Sequence, residues 1–74
     1  MDVEEAIEAI SDLIDRIDDD VPEWAWDKAP EFFEDVKENA TEVSATIEET
    51  QNVTPEQERA IRNWTDGVNK WIRD

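Results

Sequence analysis

Neither cysteine nor histidine occurs anywhere in the 74 residues. The usual zinc, haem, iron–sulfur, Ser–His and Cys–His sites therefore have no ligand or base here, and no cofactor is expected. Disulfides are impossible, so cysteine usage says nothing of the redox compartment. Long apolar runs are also missing: apolar residues come in short runs such as Leu13-Ile14 and Phe32-Phe33. A membrane span needs about 20 apolar residues and a signal peptide a stretch of about 7–15. The chain is expected to remain inside its cell or inside a virion. Positive charge is scarce as well, with seven Lys and Arg against 22 Asp and Glu, a net charge of −15. That balance argues against a general binder of nucleic acid or of anionic membranes, both of which require cations.

What is present is a small chain with little core to spare. Size scaling gives about 12,500 Å² of surface unfolded and about 4,700 Å² folded. Burial then contributes on the order of 115 kcal/mol, against about 110 kcal/mol for ordering the chain. Oligomerisation or a bound partner is the natural supplement. Fifteen uncompensated negative charges oppose folding in dilute salt, whereas in molar salt the Debye length falls to about 3 Å and the repulsion is largely screened. The acidic excess, the three lysines (Lys28, Lys37, Lys70) and the many small Thr, Ala and Val residues resemble a protein of a salt-accumulating haloarchaeon or of a virus of such a host. That resemblance implies a high-salt cytoplasm, or a virion, as the location.

Hydrophobic spacing gives the fold class. Val3, Ile7, Ile10, Ile14, Ile17 and Val21 step alternately by four and three, a heptad seam that Ala6 and Leu13 widen on one side. The first helix is expected over about 2–19, ending before Pro22, whose ring disfavours helical geometry in Val21. Phe32, Phe33, Val36, Ala40, Val43 and Ile47 form a second stripe over about 30–51, with Pro30 suited to the first turn. Thr54-Pro55-Glu56-Gln57 reads as a capping box, the strongest local signal in the chain. It opens a helix over about 55–73 with Ala60, Ile61, Trp64, Val68, Trp71 and Ile72 on one face. Gly67 lies inside that helix at a cost of about 1 kcal/mol relative to Ala. The short link makes the last two helices an antiparallel hairpin. The segment 21–29 reads as a loop or a single helical turn. Residues 1–74 are thus expected to form an all-α domain. It is either a small three-helix bundle, or a hairpin whose amphipathic N-terminal helix pairs with another copy through Val3, Ile7, Ile10, Ile14 and Ile17.

The tail Thr54-Pro55-Glu56-Gln57-Glu58-Arg59-Ala60-Ile61-Arg62-Asn63-Trp64 is similar to the helical tails of phage-encoded and haloarchaeal small proteins, some attached to replication or recombination enzymes. The pattern is generic capping chemistry, covers about a third of the chain with the helix it opens, and carries over no functional residue.

Four features are candidates for function. Trp24 and Trp26 share a face if their segment is extended and point to different sides if it is helical. They either cap the open end of a bundle as core or, with Phe32, form an aromatic anchor for a protein partner. A nucleobase-stacking platform is disfavoured by the acidic surroundings. Charge is uneven: residues 1–20 carry −8, residues 21–51 carry −7 and residues 52–74 carry zero. Arg59, Arg62, Lys70 and Arg73 fall within about 80° of one another on the last helix, opposite its apolar stripe. That arrangement is either a solvated face held by Glu58–Arg62 and Asp66–Lys70 pairs or a basic docking stripe for an acidic partner surface. Asp18-Asp19-Asp20 lacks the EF-hand pattern, with Glu23 where that loop requires Gly, and reads as a solvated charge run. The remaining carboxylates lie on polar helix faces where nothing shifts them toward acid–base work, so no catalytic and no metal site is expected. The leading expectation is a non-enzymatic interaction module of a halophilic archaeon or its virus, acting on a protein partner or on itself. The alternatives are an acidic nucleic-acid mimic that blocks a basic site on a host or defence enzyme, and a small virion structural protein.

Overall fold

The computed structural model describes residues 1–73, and its regular structure is entirely helical: α1 (Val3–Asp19), α2 (Glu23–Lys28), α3 (Pro30–Thr50) and α4 (Pro55–Arg73). No strand occurs among the described residues. Local chemistry explains most of the boundaries. Asp2 caps α1, its carboxylate accepting from the Glu5 amide at 2.8 Å, so the helix begins at Val3, where its apolar stripe begins and one residue later than the expected range. Both arms of the capping box before α4 form: the Gln57 amide donates to Thr54 Oγ1 at 3.1 Å, and the Thr54 amide to Gln57 Oε1 at 2.9 Å. Gln51 ends α3 in the left-handed region, at φ 55° and ψ 36°.

The segment between the prolines differs from the expected loop or single turn. It is a six-residue helix, too short to show a periodicity of its own. Glu23 in its first turn and Lys28 in its last suit the helix dipole, and Ala25 is fully buried.

The stripes of the three long helices meet in one core. Ala6, Ile10, Leu13 and Ile17 of α1 are buried with Phe33, Val36, Ala40 and Ile47 of α3 and Ile61 and Val68 of α4. The centre of the α1 stripe is therefore rotated by about 50° from the expected seam: Ala6 and Leu13 lie inside, while Val3, Ile7 and Ile14 form a half-buried margin. Helix α1 lies against both α3 and α4, with Lys37 Nζ 2.5 Å from Asp18 Oδ1 and Arg16 Nη1 2.6 Å from Asn69 Oδ1. Helices α3 and α4 run in opposite directions, so that Phe32 at the start of one faces Gly67 near the end of the other. The compact globule measures 37 × 19 × 18 Å and exposes 5026 Å², slightly more than the ~4,700 Å² expected of a chain this size. No polar or charged residue is buried among those described.

Candidate functional site

One end of the molecule is aromatic. Phe33, fully buried, is the centre of the cluster. Trp26, Phe32 and Trp71 surround it with ring centroids 5.1, 5.1 and 6.0 Å away. Trp24 lies outside this shell and packs on Trp71 at 5.9 Å with its ring tilted by 51°. Helical geometry in α2 separates Trp24 from Trp26 by about 200°, so the two tryptophans have different surroundings. Trp26 is half-buried and its indole Nε1 donates to the Ile17 carbonyl at 3.3 Å. That carbonyl belongs to the last turn of α1, where acceptors lack intrahelical partners, because the Val21 amide turns to Arg16 instead. Trp26 thus ties α2 to the end of α1. Trp24 has no such bond and remains 42 % exposed; only it and Met1 are exposed large hydrophobic residues among those described. Lys28, one turn further along α2, places its Nζ 5.9 Å from the centre of the Trp24 ring.

Of the three aromatic residues singled out from the sequence, Trp24 is the exposed one. Trp26 is partly spent on the end of α1, and Phe32 is half-buried against Phe33 and the backbone of Gly67. Two contributors to the cap, Trp71 and Lys28, escaped sequence reasoning. Trp71 sits on an apolar stripe like any core residue, and the i,i+4 relation of Trp24 to Lys28 has meaning only once the segment is known to be helical.

The other candidates lie elsewhere. Within the seam, Ile10 and Ile17 are buried against α3 and α4. Val3, Ile7 and Ile14 are half-buried, with Ile7 and Ile14 bordering an open groove shared with Ser44 and Ala45 of α3. Arg59, Arg62, Lys70 and Arg73 are all exposed along α4. The Glu58–Arg62 pair forms at 2.7 Å, but the expected Asp66–Lys70 pair is not among the ion pairs of the described residues. Two exposed chains gain little by pairing in water. Asp18 pairs with Lys37 and Asp20 is the C-cap of α1. Among the described residues, no group of three acidic side chains is arranged to hold a metal ion.

The acids on the outer side of α1, Glu4, Glu8, Asp12 and Asp15, are all exposed, as are those of α3. No helix among the described residues is long and apolar enough to cross a membrane. No protein-family model, curated protein or solved structure matches the chain.

Proposed function

We propose that this chain is a non-enzymatic protein–protein interaction module whose docking surface is the aromatic cap. Trp24 carries the reading: a large indole held in the open on a second indole, on a molecule that covers its other large hydrophobic side chains apart from Met1. Tryptophan is enriched among residues that dominate binding energy, and its stacking on Trp71 lowers the ordering cost of presenting it. In this reading the three long helices form a three-helix bundle that serves as a rigid base, and α2 presents the anchor. The partner is another protein or a second copy, and neither a cofactor, a nucleic acid nor a membrane takes part. The acidic surface belongs to a high-salt cytoplasm of a halophilic archaeon, or to a virus of such a host.

A photoreactive residue in place of exposed Asp27, on the same helix as a retained Trp24, tests the reading in an extract of the source cells. A discrete adduct from position 27, absent when the same group replaces exposed Glu38, is the expected result. Equal labelling from both positions, or none from either, would sink it.

A second reading has its own support. Residues 1–51, most of whose carboxylates lie on α1 and α3, carry a net charge of −15, the electrostatics of an inhibitor that occupies a basic site. It predicts that charge reversal at Glu4, Glu8, Asp12 and Asp15 abolishes binding and that added salt weakens binding steeply. Docking through the cap leaves binding nearly indifferent to both.

A further inference from the structure

The face of an indole ring is the negative end of its quadrupole and attracts a cation within about 6 Å of its centre. In this chain that position is already taken, by Lys28 Nζ at 5.9 Å from the Trp24 centroid. Lys28 is exposed and makes no ion pair among the described residues. Its ammonium can therefore leave the ring for water at little cost. Lys28 apart, the charged residues of this short helix are negative, Glu23 and Asp27. Lys70 and Arg73 of α4 lie about 100° and 200° round that helix from Trp71, off the side that supports Trp24. The wider field has the same sign, since residues 1–51 carry all of the net −15. An anionic segment approaching the molecule is repelled by this wider field; a cationic one is drawn in and finds a ring face already suited to an ammonium or guanidinium.

We infer that the cap receives an arginine or lysine side chain of a basic protein segment, stacked on Trp24, and that Lys28 holds this place in the free chain. The inference deepens the docking role given to Trp24 above and rests on it. Binding then exchanges an internal cation for an external one, so Lys28 is a built-in competitor.

A tetra-arginine peptide is the probe, titrated in 0.5 M KCl, where screening shortens long-range attraction to a few ångströms. Affinity is read in every variant from the fluorescence anisotropy of the dye-labelled peptide, and the Trp24 indole Nε1–H resonance, identified by its loss in Trp24→Leu, marks the site in the wild type, with helicity checked by circular dichroism. The wild-type resonance should shift with peptide. Trp24→Leu keeps an apolar cover on Trp71 but removes the ring, and should weaken binding by about threefold or more. Lys28→Gln should tighten binding by about threefold, and Arg59→Gln, the same charge change at an exposed position outside the cap, by distinctly less. Equal tightening by Lys28→Gln and Arg59→Gln, or full affinity in Trp24→Leu, would overturn the inference, because total charge alone would then explain the binding. Preference for a tetra-glutamate peptide would overturn it too. A position-27 adduct in cell extract without a Trp24-dependent response to tetra-arginine removes the cation preference and leaves the docking role. Failure of both removes both.

Discussion

At Gly67 a Cβ would stand 3.0 Å from Cζ of the Phe32 ring, closer than side chains normally approach. The glycine therefore admits the ring to the surface of α4, and its helix-propensity penalty of about 1 kcal/mol is the cost of that contact. Gly67→Ala should stabilise by nearly that amount when Phe32 is also replaced by Ala, and by less than half of it in the wild type, where the ring must give way. Urea unfolding of the four proteins of the cycle measures the coupling. Additive effects would show that the ring and the glycine do not constrain each other. Met1 apart, Trp24 is the exposed large hydrophobic residue among those described, whereas Trp26 already satisfies a carbonyl of α1. They occur two positions apart in sequence, yet Trp24 is exposed and Trp26 half-buried.

The helices owe their ends to a few side chains. Removing the Thr54 hydroxyl with Thr54→Ala should destabilise by about 1 kcal/mol, since a capping amide of α4 loses its acceptor; a neutral result would mean that the box is formed but carries no energy. Gln51 adopts φ 55° to end α3, a conformation that costs a residue with a Cβ about 1–2 kcal/mol. Gln51→Gly should raise stability by about 0.5–1 kcal/mol after allowing for the lost Gln51–Glu48 hydrogen bond, and a decrease would show that this bond outweighs the strain. Both cases also mark what is legible in a sequence. Thr54 and Gln57 identify their helix start directly, because a capping box is local chemistry. Three long stripes identify their helices for the same reason. Gln51 gives no signal, because glutamine is not a residue that marks left-handed turns. Helix α2 was hidden by its length, and with it the i,i+4 placement of Lys28 beside Trp24. The rotation of the α1 face toward Ala6 and Leu13 depends on α3 and α4 together, as does the approach of Phe32 to Gly67. Such long-range fits have no signature in local spacing, so the cap was only partly visible: its tryptophan was, its supporting Trp71 and its cation were not.

Over the whole molecule, charge and aromatic surface set the behaviour. Twenty-two acids face seven basic side chains, and only two side-chain ion pairs, Lys37–Asp18 and Arg62–Glu58, form among the described residues. Most carboxylates thus repel one another through water, a cost that screening reduces. Raising KCl from 0.1 M to 2 M should move the urea midpoint upward steadily; a flat or falling midpoint would mean that self-repulsion does not limit this fold. The covered core is shared by the three long helices, and, Met1 apart, Trp24 is the large hydrophobic side chain left exposed among the described residues. The most direct test of that division compares the stability of Trp24→Ala with that of Trp26→Ala by urea unfolding in 2 M KCl. The expected result is a loss of about 2–3 kcal/mol for Trp26→Ala, scaled down from a fully buried Trp, and of less than about 1 kcal/mol for Trp24→Ala. Equal losses, or a larger one at Trp24, would contradict the account, because Trp24 would then be part of the core and not a surface held ready for a partner.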